Sequence, residues 1–341
     1  MSITFPPRGS WARLPTPVHK LESLSKELGI ELFVKRDDQT GFEVSGNKIR
    51  KLDYLAQDAL NKGATCLVTC GGVQSNHCRA TAALAARLGL RCVLLLRGES
   101  PHTPASNNLL DRLFGAEIFY LTSEQYYEGM NDFRQVLEEQ VRAQGGKTYF
   151  IPEGGSNGLG TFGYASAFEE VEGQRARGEI PGYDATKPFD TMITAHGSGG
   201  TQAGLILGKL GAGEAGESTR IVGINVCYDG KESFRLVKDA LWQCIQQYRL
   251  PLSFAAIDIE VKEGALGRGY GLSTPEELKF IAKVARTEGM LVDPVYTGKA
   301  LFGLYRAVKE NRAAFGERVL FWHTGGAFGL FKMGEEWAAA L

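Results

Sequence analysis

The sequence predicts an α/β protein whose largely parallel, twisted sheets are flanked by helices. Short apolar strands alternate with helical segments over most of the 341 residues, as they do in βαβ units. Several polar, glycine-rich loops follow predicted strands, and the carboxyl ends of parallel strands are where α/β proteins bind ligands. The chain is also long enough for two domains with a sizeable core.

The first βαβ unit is the clearest part of this pattern. Residues 66–70 form an apolar strand, the alanine-rich stretch 76–88 predicts a helix that Gly89 would end, and residues 91–96 predict the next strand. The same alternation predicts helices over 107–114 and 123–144 and strands over 116–121 and 148–151. We expect these elements to form one small α/β domain.

A glycine-rich stretch, residues 152–160, follows and predicts a return crossing between domains. The second series has predicted strands over 190–195, 220–225 and 318–322. Its predicted helices cover 161–176, 232–248, 274–288 and 298–310, and a further helix begins at Thr201. The segment 291–296 lies between the last two of these four helices. We therefore predict a small domain, residues 50–160, inserted into a larger domain formed by residues 1–49 and 161–341.

The charge balance argues against a nucleic-acid or membrane partner. Lys plus Arg number 38 and Asp plus Glu 39, so no strong field favours polyanions or anionic lipid. No apolar run reaches membrane-spanning length, and residues 1–17 carry prolines and charges where a secretory signal needs an apolar core. We expect a cytoplasmic protein with a small-molecule partner.

The six cysteines do not point to a metal or to a disulfide framework. They include no Cys-x-x-Cys pair and no Cys/His spacing typical of zinc sites, and the five histidines are scattered along the chain. A small apolar thiol packs well in strands and helices. We expect reduced, structural cysteines and no metal site.

Lys48 is the first candidate for chemistry. It follows Ser45-Gly46-Asn47 in a turn that opens a predicted helix, and a lysine amine presented in this way can form an imine with an aldehyde. Lys51, one helical turn further on, keeps the local field positive, which favours a neutral amine on Lys48 and attracts a carboxylate. The alternative is that Lys48 is an ordinary solvated surface lysine.

A second polar loop follows the strand at residues 66–70. It carries amide, hydroxyl and imidazole groups at a helix start, on Gln74, Ser75, Asn76 and His77. The free N–H groups of a helix N-terminus suit an anion. Asn76 could hold a cofactor hydroxyl, and Ser75 or Gln74 a carboxylate. Ser and Asn are also ordinary helix caps, which is the alternative for this loop.

The third loop is Gly197-Ser198-Gly199-Gly200-Thr201, between a predicted strand and a helix. Its glycines let backbone N–H groups approach an anion, and the helix start adds the positive end of its dipole. The loop is not a dinucleotide fingerprint and no Walker lysine follows it, so a single phosphate fits better. A tight turn capped by Ser198 or Thr201 is the alternative. Together with Lys48, these loops suggest pyridoxal phosphate bound as a Schiff base.

Two tyrosines and one strand-end loop are weaker candidates. Tyr270 lies between Gly269 and Gly271, and Tyr296 lies just before Thr297. Buried tyrosines usually only pack, so neither is informative alone. The loop from His323 to Gly326 follows the last apolar strand and contains Thr324.

In this order, the motifs resemble those of the D-cysteine desulfhydrase and 1-aminocyclopropane-1-carboxylate deaminase family. These are two-domain, fold-type II pyridoxal-phosphate enzymes with a tryptophan synthase β-like fold. The resemblance runs nearly end to end and rests on residues 14–17, 35–38, 45–51, 71–79, 197–204, 293–299 and 323–326. Such an ordered series is specific for the family and much less so for the substrate.

The resemblance implies which residues hold the cofactor, pyridoxal 5′-phosphate. Lys48 would be the lysine that bonds to its aldehyde, and Asn76 would face its phenolic oxygen. The loop Ser198-Gly199-Gly200-Thr201 would hold its phosphate.

The resemblance also implies a substrate side of the site. Ser75 would touch the carboxylate of an amino-acid substrate, with Gln74 and His77 in the same loop. Tyr270 and Tyr296 would lie over the substrate. Lys48, Ser75 and the two tyrosines are thus the expected catalytic residues.

The chain departs from the deaminase pattern at Thr297. In the deaminases this position is a glutamate thought to pair with the pyridine nitrogen. A carboxylate there keeps the nitrogen protonated and makes the ring a deep electron sink, whereas a hydroxyl leaves the sink shallow. Opening a cyclopropane needs the deep sink, while expelling a thiolate needs less. Thr297 therefore favours β-elimination, and Thr324 is the other candidate partner of the nitrogen.

We therefore expect a cytoplasmic, homodimeric lyase that converts D-cysteine to pyruvate, ammonia and hydrogen sulfide. The nearest alternatives are L-cysteate sulfo-lyase, with sulfite as leaving group, and elimination from β-chloroalanine-type substrates. Cyclopropane deamination ranks below these because of Thr297, and racemisation lower still. A non-catalytic pyridoxal-phosphate-binding protein is the alternative from another class, and the joint presence of the substrate-side hydroxyls argues against it.

Overall fold

Ten strands form two sheets in the computed structural model, which describes residues 3–252 and 257–340. The strands are β1 Val18–Lys20, β2 Glu31–Lys35, β3 Cys66–Gly72, β4 Arg91–Arg97, β5 Glu117–Leu121, β6 Thr148–Ile151, β7 Thr191–His196, β8 Arg220–Asn225, β9 Glu260–Lys262 and β10 Arg318–Trp322. The helices are α1 Glu22–Leu28, α2 Lys48–Asn61, α3 Asn76–Leu88, α4 Ser106–Leu113, α5 Ser123–Tyr127, α6 Met130–Ala143, α7 Gly158–Ala176, α8 Gly200–Gly211, α9 Glu214–Glu217, α10 Gly230–Gln247, α11 Pro275–Glu288, α12 Thr297–Glu310 and α13 Gly334–Ala340.

The smaller sheet has four parallel strands in the order β5-β4-β3-β6. Strand β4 is buried continuously from Cys92 to Leu96. Val93 and Leu95 belong to one apolar cluster with Leu137 of α6, and Leu94 belongs to another with residues of α2 and α3. A strand with both faces covered is expected to be a continuous apolar run rather than an alternating one.

The larger sheet has six strands in the order β1-β2-β10-β7-β8-β9. Its described pairs are parallel except for β1 with β2. Strand β10 lies between β2 and β7, so the sheet joins segments from both ends of the chain. All six residues of β7 are buried, as in a central strand that helices cover on both faces.

Helix α7 packs against α2, α8 and α10 and so connects the elements that carry the two sheets. A Cβ atom at Gly204 of α8 would collide with the Tyr164 side chain, and one at Gly208 would lie 2.7 Å from the Ala165 carbonyl oxygen. The glycines therefore allow α8 to approach α7 closely.

The predicted α/β fold class is confirmed. The first βαβ unit matches β3, α3 and β4, and Gly89 ends α3 in the left-handed conformation, with φ 67°. The single helix predicted over 123–144 is wrong: Thr122 forms a capping box for the short α5, and a second helix, α6, begins after Gly129. The apolar pattern is continuous across the break, so only the caps reveal it.

The sequence pattern missed the elements β1, α1, β2, β9 and α13. Each has seven residues or fewer, which is too short for a clear period. The domain limits at residues 50 and 160 stay a prediction, although every strand of the smaller sheet lies between residues 66 and 151. Among the described residues, no helix combines the length and apolar character needed to cross a membrane.

Candidate active site

The loops that follow β3, β7, β8 and β10 line one cleft with the first residues of α2 and α3. The cleft encloses about 1110 Å³ of empty space, part of it open to solvent. Most of the predicted site residues line it, namely Lys48, Ser75, Asn76, His77, Ser198, Gly199, Thr201, Tyr270, Tyr296 and Thr324. The structure therefore brings together loops that are more than a hundred residues apart in the sequence.

Lys48 is the first residue of α2, and two hydrogen bonds fasten the turn before it to the other loops. The Asn47 backbone N–H donates to the Thr324 carbonyl oxygen at 3.0 Å, and the Asn47 side-chain amide donates to the Thr201 hydroxyl at 3.0 Å. Gly46 has φ 105°, and a Cβ atom there would lie 2.7 Å from the Thr324 carbonyl oxygen. These contacts place the Lys48 side chain on the cleft wall.

Removal from solvent lowers the pKa of Lys48 to about 8, and the negative charge of Glu153 partly opposes this shift. A substantial fraction of Lys48 is therefore neutral just above neutral pH, and the neutral amine is the form that attacks a carbonyl carbon. Gly154 has φ 68°, and a Cβ atom there would lie 3.2 Å from the Lys48 amine. A glycine at this position keeps space open beside the nucleophile.

The start of α8 forms a cradle for an anion. Gly199, with φ 78°, precedes the helix, and no side-chain cap occupies the N–H groups of its first turn. The Ser198 and Ser156 hydroxyls lie 2.8 Å apart, and the buried Lys51 amine donates to Ser156 Oγ at 3.1 Å. A Cβ atom on Gly200 would lie 2.9 Å from the Lys51 amine, so an amine lies next to the first turn of α8. Burial lowers the pKa of Lys51 well below its ordinary value, and the neighbouring charge of Lys48 lowers it further.

The cleft fits pyridoxal phosphate. The cofactor needs an amine for its aldehyde and an anion site for its phosphate, and Lys48 and the start of α8 supply them. Two buried imidazole nitrogens on the wall, His77 Nδ1 and His196 Nε2, have no hydrogen-bond partner among the described residues. Burial lowers the pKa of His196 to about 4 and of His77 well below its ordinary value, so both rings are neutral.

The helix start at α3 combines capping with exposure to the cleft. Ser75 is the N-cap, and its hydroxyl accepts from the Cys78 N–H at 3.2 Å. Asn76 Oδ1 accepts from the Asn107 side-chain amide at 2.9 Å. The His77 Nε2 atom lies 2.9 Å from the Thr69 hydroxyl. Ser75 and Asn76 thus serve as helix-start residues and line the cleft at the same time.

Gln74 does not line the cleft. Its side-chain amide donates to the Ala105 carbonyl oxygen at 3.1 Å and accepts from the Asn107 N–H at 3.0 Å. Both polar atoms therefore bind the start of α4, and they are not directed at a substrate carboxylate. The sequence does not reveal this because α4 lies about thirty residues further on.

Thr297 also lies outside the cleft lining. It is fully buried, and its hydroxyl donates to Asp293 Oδ1 at 2.6 Å while accepting from the Asp293 N–H at 2.9 Å. Thr324, by contrast, lines the cleft. Of the two threonines considered for the pyridine nitrogen, only Thr324 lies on the cleft surface.

Tyr270 and Tyr296 form a pair. Their hydroxyl oxygens lie 2.5 Å apart and their ring centroids 5.8 Å apart. Desolvation raises the pKa of Tyr296 well above its ordinary value, so this phenol is neutral at physiological pH, whereas Tyr270 is 42% exposed. The pair offers a hydrogen-bonded donor and acceptor at the cleft wall.

Several cleft residues were not predicted from the sequence, namely Arg97, Tyr127, Glu153, His196, Gln202, Cys227 and Tyr228. Arg97 ends β4, and its guanidinium donates to the Tyr127 hydroxyl. Glu153 follows β6 and accepts from the Tyr126 hydroxyl at 2.9 Å. For Arg97, Glu153, His196, Cys227 and Tyr228, the signal that could have found them is their position at or just after the carboxyl end of a parallel strand, which is the binding edge of an α/β sheet.

A cleft at the carboxyl edge of an α/β sheet, with one lysine beside an uncapped helix start, is typical of pyridoxal-phosphate enzymes. The family model described as "Pyridoxal-phosphate dependent enzyme" matches residues 11–325. The chain belongs to this family, whose members depend on pyridoxal phosphate.

Two curated relatives match over most of their own length. The chain is 39% identical over 341 residues to the mitochondrial bifunctional D-cysteine desulfhydrase/1-aminocyclopropane-1-carboxylate deaminase of Arabidopsis thaliana, covering 97% of this chain and 81% of that protein. It is 39% identical over 328 residues to the D-cysteine desulfhydrase of Serratia proteamaculans, covering 93% and 92%. Among solved structures, a 1-aminocyclopropane-1-carboxylate (ACC) deaminase homologue superposes with a TM-score of 0.85 at 36% identity, covering 98% of this chain and 96% of that one.

Proposed function

We propose that this protein is a pyridoxal-phosphate-dependent lyase that converts D-cysteine to pyruvate, ammonia and hydrogen sulfide. The observation that carries the proposal is the Lys48 amine, whose pKa is lowered to about 8, on the wall of the cleft that α8 opens with an uncapped N-terminus. The relatives named for D-cysteine desulfhydration support the choice of substrate.

On this proposal, Lys48 would hold the cofactor through its aldehyde, and Ser198, Gly199, Gly200 and Thr201 would hold its phosphate. Asn76 would hold the phenolic oxygen. Thr324 lines the cleft and would be the partner of the pyridine nitrogen, whereas Thr297 bonds to Asp293 behind the cleft wall. The bound cofactor withdraws electrons from the α-carbon of the amino acid.

The remaining residues act on the substrate. The Ser75 hydroxyl binds the carboxylate, and the Asn76 and His77 side chains complete that wall. The neutral amine of Lys48 would accept the α-proton of the amino acid. The hydroxyl pair Tyr270 and Tyr296 lies over the β-substituent, where a phenol can donate a proton to the departing sulfur.

A neutral hydroxyl beside the ring nitrogen favours elimination of a good leaving group over ring opening. Both candidate partners of the nitrogen, Thr297 and Thr324, are threonines, so no carboxylate on either residue keeps the nitrogen protonated. We therefore rank cyclopropane deamination below β-elimination, although the Arabidopsis relative is named for both activities.

Sulfite release from L-cysteate is the second candidate, and Arg97 favours it. Its guanidinium lines the cleft and donates to the Tyr127 hydroxyl, so a cation lies on the cleft wall. A sulfonate leaving group carries a negative charge that a guanidinium would bind well.

A product screen tests the proposal. The purified holoenzyme is supplied in turn with D-cysteine, L-cysteine, L-cysteate, β-chloro-D-alanine and D-serine, and pyruvate is measured for each. We expect the highest kcat/KM with D-cysteine, with hydrogen sulfide and pyruvate in equal amounts. A highest value with L-cysteate, and sulfite in place of sulfide, would make the second candidate correct. Absence of a keto acid with every compound would reject both candidate reactions.

We also propose that the enzyme is cytoplasmic and homodimeric. All six cysteines are free, and five are buried, which suits a reducing compartment. Phe42 and Phe331 are 70% and 75% exposed, and such aromatic surface suits a subunit interface. Light scattering should give twice the mass of one chain. A monomer at micromolar concentration would contradict this proposal without affecting the proposed reaction.

A further inference from the structure

The ammonium group of Lys299 is enclosed by backbone carbonyl oxygens. Lys299 belongs to the first turn of α12 and is fully buried. Its Nζ atom donates to the carbonyl oxygens of Leu266, Gly269 and Leu272 at 2.7, 2.8 and 2.8 Å. These three bonds use all three ammonium protons.

The three carbonyl groups converge because the loop makes two successive turns. The Gly269 N–H donates to the Leu266 carbonyl oxygen at 3.1 Å, and the Leu272 N–H donates to the Gly269 carbonyl oxygen at 3.1 Å. Tyr270 lies within these turns, between Gly269 with φ 129° and Gly271 with φ 71°. A backbone with such glycines has many conformations available, so something outside the loop must select one.

The positive charge of Lys299 has no carboxylate partner within 4.0 Å among the described residues. Desolvation lowers the pKa of Lys299, and the charge of Glu277 partly opposes this shift. The Glu277 carboxylate itself accepts from the Thr274 N–H at 2.7 Å, in the capping box of α11. The carbonyl oxygens therefore replace water around the ammonium ion, as they do around a bound monovalent metal ion.

We propose that Lys299 acts as an internal cation that holds the loop of residues 266–272 and so positions Tyr270 against Tyr296. The 2.5 Å contact between the two phenols depends on the loop conformation that the ammonium selects. Lys299 is thus a positioning residue: it does not line the cleft. The inference rests on the proposed function only in giving Tyr270 a substrate to contact.

A hydrogen bond that does not involve Lys299 also holds the end of the loop, so the loop should stay attached when the ammonium group is removed. The Ser273 hydroxyl donates to the Pro294 carbonyl oxygen at 3.0 Å, next to the segment that carries Tyr296. Removal of the Lys299 side chain should therefore leave a folded protein with a small cavity ringed by three carbonyl oxygens. Such a cavity is a binding site for a small monovalent cation.

The first test is physical and independent of catalysis. The holoenzyme of Lys299→Ala is melted in ammonium, methylammonium, potassium or tetramethylammonium chloride at equal ionic strength. We expect ammonium, methylammonium or potassium to raise Tm by about 3 °C relative to tetramethylammonium, with no such difference in wild type. The exposed residue Lys279 of α11 provides the matched control, Lys279→Ala, which should resemble wild type. Equal melting in all four salts would overturn the inference.

The second test separates positioning from general destabilisation. Lys299→Met, which leaves no cavity for an ion, should keep the cofactor absorbance while kcat/KM for the best substrate falls about 10- to 100-fold, because Tyr270 is misplaced. In a Tyr270→Phe background the same substitution should have little further effect. Full activity of Lys299→Met, or losses that multiply in the double variant, would overturn the inference. Lack of activity in wild type would instead reject the proposed function and leave the melting test standing.

Discussion

At the scale of single residues, two opposing effects set the pKa of Lys48. Burial in the cleft lowers it from 10.5 to about 8, and the carboxylate of Glu153 holds it above the value that burial alone would give. The neutral form of the amine is scarce below that pKa and dominant above it. The rate at which the apoprotein captures the cofactor aldehyde should therefore rise with pH through about 8 and then level off.

Glu153→Gln tests this balance. Removing the negative charge should move the midpoint of the capture-rate profile to lower pH, because the charged form of Lys48 loses its stabilising partner. Stopped-flow absorbance of the apoprotein with pyridoxal phosphate measures the midpoint, and Glu310→Gln, at an exposed residue that ends α12 and does not line the cleft, is the control. A midpoint that stays put or moves to higher pH would show that Glu153 does not act on Lys48.

The two threonines should respond differently to substitution. Thr297→Ala removes a buried hydroxyl that donates to Asp293 Oδ1 and accepts from its N–H, so it should lower the free energy of unfolding by about 1–3 kcal/mol. Thr324→Ala should instead change the absorbance maximum or affinity of the bound cofactor, with less effect on stability. Denaturant titration and cofactor binding measure the two effects. The opposite assignment of effects would show that Thr297 is the residue that reaches the cofactor.

Local turn chemistry explains which site residues could be predicted. Lys48 and the Ser198 to Thr201 loop are conspicuous because glycine and polar caps concentrate where backbone N–H groups are exposed. Gln74 looks equivalent to Ser75 in the sequence, yet α4 binds both of its polar atoms. Glu153 was missed because its role is the effect of its charge on the pKa of Lys48. That effect depends on how close the two residues lie in the folded chain, and their separation in the sequence does not reveal it.

At the scale of elements, the start of α8 should control cofactor retention. Gly200→Ala would place a Cβ atom 2.9 Å from the Lys51 amine and 2.5 Å from Ser156 Oγ, so the start of α8 or these side chains would have to shift. We expect the cofactor dissociation constant to rise at least about tenfold, because a displaced phosphate loses hydrogen bonds to N–H groups and to lysine. Equilibrium dialysis measures it. Gly334→Ala, in the open first turn of α13, is the control glycine.

The ends of a helix could be predicted from the sequence where the capping residues and the spacing of the apolar residues indicate the same limits. Helix α3 begins at a serine cap and ends at a left-handed glycine, and the sequence indicates both. Between α5 and α6 the helical spacing of apolar residues continues, although the helix is interrupted before Gly129, the N-cap of α6. The short edge strands β1 and β9 depend on pairing with β2 and β8, which no local pattern encodes.

At the scale of the whole molecule, strand order is the feature that the sequence reveals least. Alternating elements predict parallel sheets, but the insertion of β10 between β2 and β7 joins segments almost three hundred residues apart. This arrangement brings Thr324 beside the turn that carries Lys48. The cleft therefore exists only when both ends of the chain and the middle segment have folded together.

The same topology predicts how cofactor binding should stabilise the protein. The proposed cofactor site draws on α2, α3, the start of α8 and the loop after β10, so it connects elements around both sheets. A ligand at 100 times its dissociation constant stabilises the native state by about 2.7 kcal/mol, which for a chain of this size corresponds to a rise in Tm of several degrees. We expect one calorimetric transition that shifts upward as a whole when the apoprotein is loaded with pyridoxal phosphate, and a smaller shift for Lys48→Ala, which cannot form the covalent bond. Two transitions, only one of which responds to the cofactor, would mean that the sheets unfold independently and that the site belongs to one of them.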